Sequence, residues 1–186
     1  MVLNAKFLKV VVIFIFLGFT IFGIAEGAGP KKNKVKITFR SPSHDNSNIN
    51  HLKLNHPIKI SQAEIVNHLI SLRYKGTFIG NKEESVFSVA EVQTLAPILF
   101  KAFAGVVPKK IIRIQLKSVG GTTSGDIFSF KKYLNWRFDS IRGETFLQKN
   151  NIRGWNIFSW EMMPKKGQLY FKSDGDKRIQ KNWIIS

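Results

Sequence analysis

The chain has 186 residues, no cysteine, and 29 lysines and arginines against 12 aspartates and glutamates, giving a formal net charge of +17. The absence of cysteine excludes disulfide frameworks and thiolate metal sites, and a hydrophobic content of 44% with 12% aromatic residues excludes a mostly disordered chain. The basic surplus favours anionic partners, although a coding bias towards Lys, Asn, Ile and Phe would supply part of it without selection for binding.

Met1 to Ala25 has the layout of a secretory signal peptide. Lys6 and Lys9 precede an apolar run from Val10 to Phe22, and Gly23 and Ala25 are the small residues of a cleavage site after Ala25. Without cysteine there is no lipobox. Lys31, Lys32, Lys34, Lys36 and Arg40 follow closely, and positive charge there opposes translocation; an uncleaved N-terminal anchor is therefore the alternative. The apolar run is short against the roughly 20 residues of a full span, so an exported protein, periplasmic or secreted, is the expectation.

Residues 26–55 read as a basic and Asn/Ser-rich linker with one short strand from Val35 to Phe39. His44, His51 and His56 fall in or beside it with Asp45, but their spacing matches no established metal site, and they read as incidental surface histidines. No metal or cofactor is expected.

A single domain is expected over residues 56–186. Ser61-Gln62-Ala63-Glu64 is a capping box, in which the serine hydroxyl and the glutamate carboxylate each satisfy a backbone N–H. It opens a helix from Gln62 to about Arg73, with Ile65, Val66, Leu69 and Ile70 at helical spacing. Tyr74 to Phe87 reads as extended, with a turn at Gly80-Asn81 and with Phe78 and Phe87 pointing inward. Ser88-Val89-Ala90-Glu91 repeats the capping box before a stripe of Val92, Leu95, Ala96, Leu99, Phe100 and Phe103. Pro97 should kink this second helix, and Gly105 and Pro108 should end it.

Lys109 to Gly143 carries the strongest alternation and reads as one long antiparallel β-hairpin around a Gly120 to Gly125 loop. Ile112, Ile114, Leu116, Phe128, Phe130, Leu134, Trp136 and Phe138 form its apolar face. Arg113, Gln115, Lys117, Ser129, Lys131, Tyr133, Asn135 and Arg137 form the polar one. A one-residue slip would exchange the faces, so the expected register sets Leu116 opposite Phe128, Ile114 opposite Phe130, Arg113 opposite Lys131 and Gln115 opposite Ser129. Ile112 then faces Lys132, whose aliphatic stem can lie on apolar surface.

Beyond it, Glu144 to Gln148 reads as an edge strand. Trp155, Ile157, Trp160 and Met162 belong to a further strand whose alternation breaks at Phe158. Pro164 to Gly167 is expected as a hairpin turn, and Gln168 to Lys172 as a last strand with Leu169 and Phe171 on one face. Ile179, Trp183 and Ile184 are expected to dock on the core. The four tryptophans, Trp136, Trp155, Trp160 and Trp183, read as core and hydrophobic-edge residues.

No catalytic constellation emerges. Gly120 and Gly125 have the GxxxxG spacing of a phosphate loop but lack the following Lys and Ser or Thr. Ser129 to Lys132 matches SxxK, but in a strand that puts its two functional residues on opposite faces. Glu64 and Glu91 are used as caps, and no nucleophile has a plausible base; the chain is not expected to be an enzyme, and no small-molecule substrate is evident. The polar hairpin face remains, with Arg113, Lys117, Lys131, Tyr133, Asn135 and Arg137 as candidate anion-binding residues: basic groups interleaved with an aromatic ring can hold phosphates and stack a base or sugar. The plain alternative is a solvated sheet face.

The expected fold is α+β, two helices packed on one face of an antiparallel sheet of about five strands, behind a signal peptide and flexible linker. The expected role is a non-catalytic exported envelope protein that binds or assembles with an envelope partner. The alternative is a binder of an anionic polymer or membrane surface, such as phospholipid, lipopolysaccharide or polysaccharide, with nucleic acid in reach only for a cytoplasmic domain.

Overall fold

The structure, a computed structural model, describes residues 33–42, 49, 52–76, 82–150, 156–172 and 179–186. The expected signal peptide, Phe78, Trp155, His44, Asp45 and His51 lie outside them. All the described residues fall in one compact unit, residues 31–186.

In chain order the elements are β1 (Lys34–Arg40), α1 (Gln62–Ser71), β2 (Arg73–Gly76), β3 (Glu83–Ser85), α2 (Val89–Gly105), β4 (Ile111–Ser118), β5 (Gly121–Phe130), β6 (Tyr133–Ile141), β7 (Glu144–Thr145), β8 (Gln148–Asn150), β9 (Asn156–Phe158), β10 (Trp160–Met162), β11 (Leu169–Lys172) and β12 (Ile179–Ile185). The class is α+β. The main antiparallel sheet has seven strands where about five were expected, in the order β1-β4-β5-β6-β12-β11 with β7 on β6. A small sheet, β10-β2-β3, and the pair β8-β9 complete the described strands.

Both helices start where their capping boxes place them. Ser61 and Ser88 accept from the N–H groups of Glu64 and Glu91, whose carboxylates reach back to the cap N–H. Leu69, Leu95, Leu99 and Phe103 of these helices pack on Ile112, Ile114, Leu116, Trp136, Phe138 and Ile184, so both helices cover one sheet face.

The opposite face has an apolar cluster of its own. Ile111, Phe128, Phe171 and Trp183 are buried there with Ile49, and Leu52, Leu54, Phe130 and Ile185 pack against them. Strand geometry requires this division, because Ile111 and Trp183 are the chain neighbours of Ile112 and Ile184 and must point the other way. Trp183 stacks on Phe171 with ring centroids 3.7 Å apart.

The second core overturns the expected hairpin. Residues 109–143 form a three-stranded meander with two tight turns, Ser118 paired with Gly121 and Phe130 paired with Tyr133. Gly121 has φ of 110°, and a Cβ there would lie 2.5 Å from the Arg142 carbonyl oxygen, so glycine is required. At the other turn Lys131 takes φ of 55°. Leu116 consequently faces Thr123, Ile114 faces Gly125, Arg113 faces Asp126, Gln115 faces Ser124 and Ile112 faces Ile127. Phe128 belongs to the second core, and Lys132 lies exposed in a turn instead of facing Ile112.

Other differences are local. The strand in the basic stretch runs Lys34–Arg40 and pairs along its length with β4, which makes it part of the sheet. Ser159 separates β9 from β10 where the alternation breaks, and the two pair with different partners. The Pro164 to Gly167 turn is present, with the Gln168 N–H donating to the Lys165 carbonyl at 2.8 Å. It joins strands of two different sheets and is not a hairpin turn. Residues 179–185, expected to dock on the core, form an interior strand between β6 and β11.

Candidate anion-binding face

The polar side of β1, β4, β5 and β6 is organised by Asp126, which is 1% exposed. Register places Arg113 and Arg137 as its direct neighbours on β4 and β6. Arg40, at the end of β1, reaches it with a two-pronged contact, Nε to Oδ1 at 3.1 Å and Nη2 to Oδ2 at 2.6 Å. Arg137 Nη2 donates to Oδ2 at 2.6 Å, and Arg113 Nη1 lies 3.4 Å from Oδ1 while also donating to Asp139. A buried carboxylate is tolerable only when its lone pairs are filled, and here three guanidinium groups fill them. Arg137 also lies 6.0 Å from the ring of Trp183, which ties the cluster to the second core.

Along the same face, away from this cluster, Lys34 sits directly opposite Lys117, with Lys36 two residues on and opposite Gln115. All three lysines are exposed. The ion pairs of this face are those of Arg40, Arg113 and Arg137, and the three lysines take part in none among the described residues.

The six candidate residues therefore separate. Arg113 and Arg137 meet at Asp126, with Lys117 four residues from Arg113 on the same side of β4. Lys131 and Tyr133 lie at the β5–β6 turn, where Tyr133 is 43% exposed and the Lys132 ammonium stands 5.5 Å from its ring. Asn135 is 1% exposed and accepts the indole N–H of Trp183 at 3.1 Å, so it serves the second core. Asp126, Arg40, Lys34 and Lys36 were absent from the expected site. The signal that could have found Asp126 is the tight Val119-Gly120 turn, which fixes the register that brings it between two arginines.

His56 is buried and His68 half-buried, and each has a structural task. His56, read as a surface residue, is 6% exposed and accepts the Ser129 N–H on Nε2 at 3.1 Å. Its proton then sits on Nδ1, which has no hydrogen-bond partner among the described residues, and burial pushes its pKa down to about 4. His68 lies beside a cavity of about 280 Å³, its Nδ1 2.9 Å from the Ser186 hydroxyl. Burial lowers its pKa against the opposing charge of Glu64. A hydroxyl beside a neutral imidazole is the start of a nucleophile–base pair. Here, however, the hydroxyl accepts the buried indole N–H of Trp136 at 3.0 Å, and the Glu64 carboxylate is engaged by Ser61.

No family model, curated protein or solved structure matches the chain. Among the described residues there is no group of three metal-ligating side chains, and no helix is long and apolar enough to cross a membrane.

Proposed function

We propose that this is an exported, non-catalytic binding protein that holds polyanionic surfaces, such as anionic lipid headgroups or phosphate-bearing polysaccharide, on the outer part of its polar sheet face. Lys34, Lys36 and Lys117 would make the contacts, with Arg113 at the inner edge. The observation that carries this reading is Lys34 directly opposite Lys117. Like charges in that relation destabilise a sheet, and an anion bridging them removes the penalty. The described acids of the face, Asp126 and Asp139, are already engaged by arginines, so neither competes with an incoming anion. Export rests on the Val10 to Phe22 apolar run with its Gly23 and Ala25.

The test is sedimentation with vesicles containing anionic lipid, zwitterionic vesicles alone, and heparin beads. Binding to the anionic vesicles and to heparin should fall steeply with salt and drop at least tenfold in a Lys34→Ala, Lys36→Ala, Lys117→Ala variant. Retention by heparin alone would assign the polymer and not the lipid. Equal loss in a control lacking Lys75, Lys101 and Lys172 would reduce the binding to net charge and refute the site.

Assembly with another envelope component is the second reading. It draws on β11, a sheet-edge strand whose Leu169 is 69% exposed, because such edges can accept a partner's strand. Crosslinking from position 169 in native envelopes would return a defined partner, and monomer alone would remove the reading.

A further inference from the structure

At the other end of β1 and β4 from the Lys34–Lys117 pair lies a half-open cavity of about 690 Å³. Pro42, Leu52, Leu54 and Pro108 form apolar walls, and among the described residues the charged groups lining it are Lys53 and Lys109. Lys110 stands alongside, its ammonium donating to Ser41 of the same wall at 2.8 Å. None of the described lining residues is an acid. The apolar wall is continuous with the second core, since Leu52 and Leu54 pack on the cluster of Ile111, Phe128 and Trp183.

Two features fit a ligand. The volume lies within the roughly 300–1,000 Å³ of small-molecule sites, and apolar walls with few polar groups at the rim are their usual chemistry. Lys109 also holds φ of 66°, a left-handed conformation unusual for a side chain of its size, and does so beside the cavity. We infer that the cavity takes a single-chain anionic amphiphile of the fatty-acid class. The apolar walls would receive the chain, while Lys53 and Lys109 pair with the headgroup. A neutral chain would forgo the charge contacts, and a hydrophilic anion would leave the apolar walls uncovered.

The inference is tested by displacing dansyl-labelled undecanoate from the intact protein with palmitate and with cetyl alcohol. Palmitate should displace the probe saturably at one equivalent, and cetyl alcohol at least tenfold more weakly. A Lys53→Ala, Lys109→Gly variant should lose about tenfold in palmitate affinity with cetyl alcohol unchanged; both changes are at exposed positions, and glycine suits the left-handed backbone at 109. The Lys34, Lys36, Lys117 variant should bind palmitate normally, which separates this cavity from the sheet face. Lack of saturable probe binding, equal affinity for acid and alcohol, or an unaffected double variant would each overturn it.

Discussion

Arg113 and Asp126 are direct cross-strand partners, and the aspartate lies at the meeting point of three arginines from three different strands. This contact links β1, β4, β5 and β6 on the side away from the helices. Asp126→Asn keeps the shape and removes the charge on which Arg40, Arg113 and Arg137 converge, while Arg113 keeps its contact with Asp139. The expected loss is about 3 kcal/mol, read as a lower denaturant midpoint with an unchanged m-value.

Asn135 separates a structural role from a binding role. Its side-chain oxygen accepts the Trp183 indole N–H, and Asn135→Leu leaves that donor buried and unpaired at a cost of about 1–3 kcal/mol. Chemical denaturation should register the loss, while the salt-dependent affinity for heparin should match the parent protein.

Gly125 faces Ile114 across the β4–β5 pairing, and a Cβ there would lie 2.5 Å from the Arg137 carbonyl oxygen and 3.0 Å from the Phe138 ring. Gly125→Ala must push β5 and β6 apart next to the Asp126 cluster. We expect a destabilisation of about 3 kcal/mol, with Gly105→Ala, which has open space around it, as the tolerated control.

His56 makes the fold sensitive to acid. Its pKa is about 4 in the folded chain against an ordinary value of 6.5, so the unfolded chain binds the extra proton first. Stability is intact above about pH 6.5 and is lost as pH falls towards 4, by about 3 kcal/mol in full. His68, whose pKa is also lowered, acts in the same direction. His56→Gln retains an acceptor for the Ser129 N–H and should flatten the stability profile between pH 6.5 and 4. An unchanged slope would show that His56 does not supply it.

Local chemistry was legible in the sequence, and long-range chemistry was not. The two capping boxes announced the starts of both helices, because all their contacts lie within four positions. The alternation of Ile112, Ile114 and Leu116 was equally plain. What misled was β5, buried without a break from Thr123 to Ser129. When both faces of a strand are covered, period two no longer says which face a phenylalanine serves, and Phe128 was assigned to the wrong one. The turn at Lys131-Lys132 hid the error further, since two lysines give no turn signal. With the register displaced, Asp126 stood just after the expected Gly120 to Gly125 loop and away from Arg113, and the arginine cluster could not be seen. Lys34 and Lys36 escaped for a related reason: a basic stretch reads as linker until a distant strand pairs with it.

The strand order places β12 beside β6 and β1 beside β4, and in each case the two partners lie far apart along the chain. The meander β4-β5-β6 closes through two tight turns, whereas each flanking strand must close a long loop before any contact rewards it. Folding should therefore be slow for a chain of this size, with the meander forming early and Trp183 arriving late. Until it arrives, Phe128 and Phe171 remain open to solvent, and the half-made sheet is the state in which this protein is most exposed to aggregation and proteolysis.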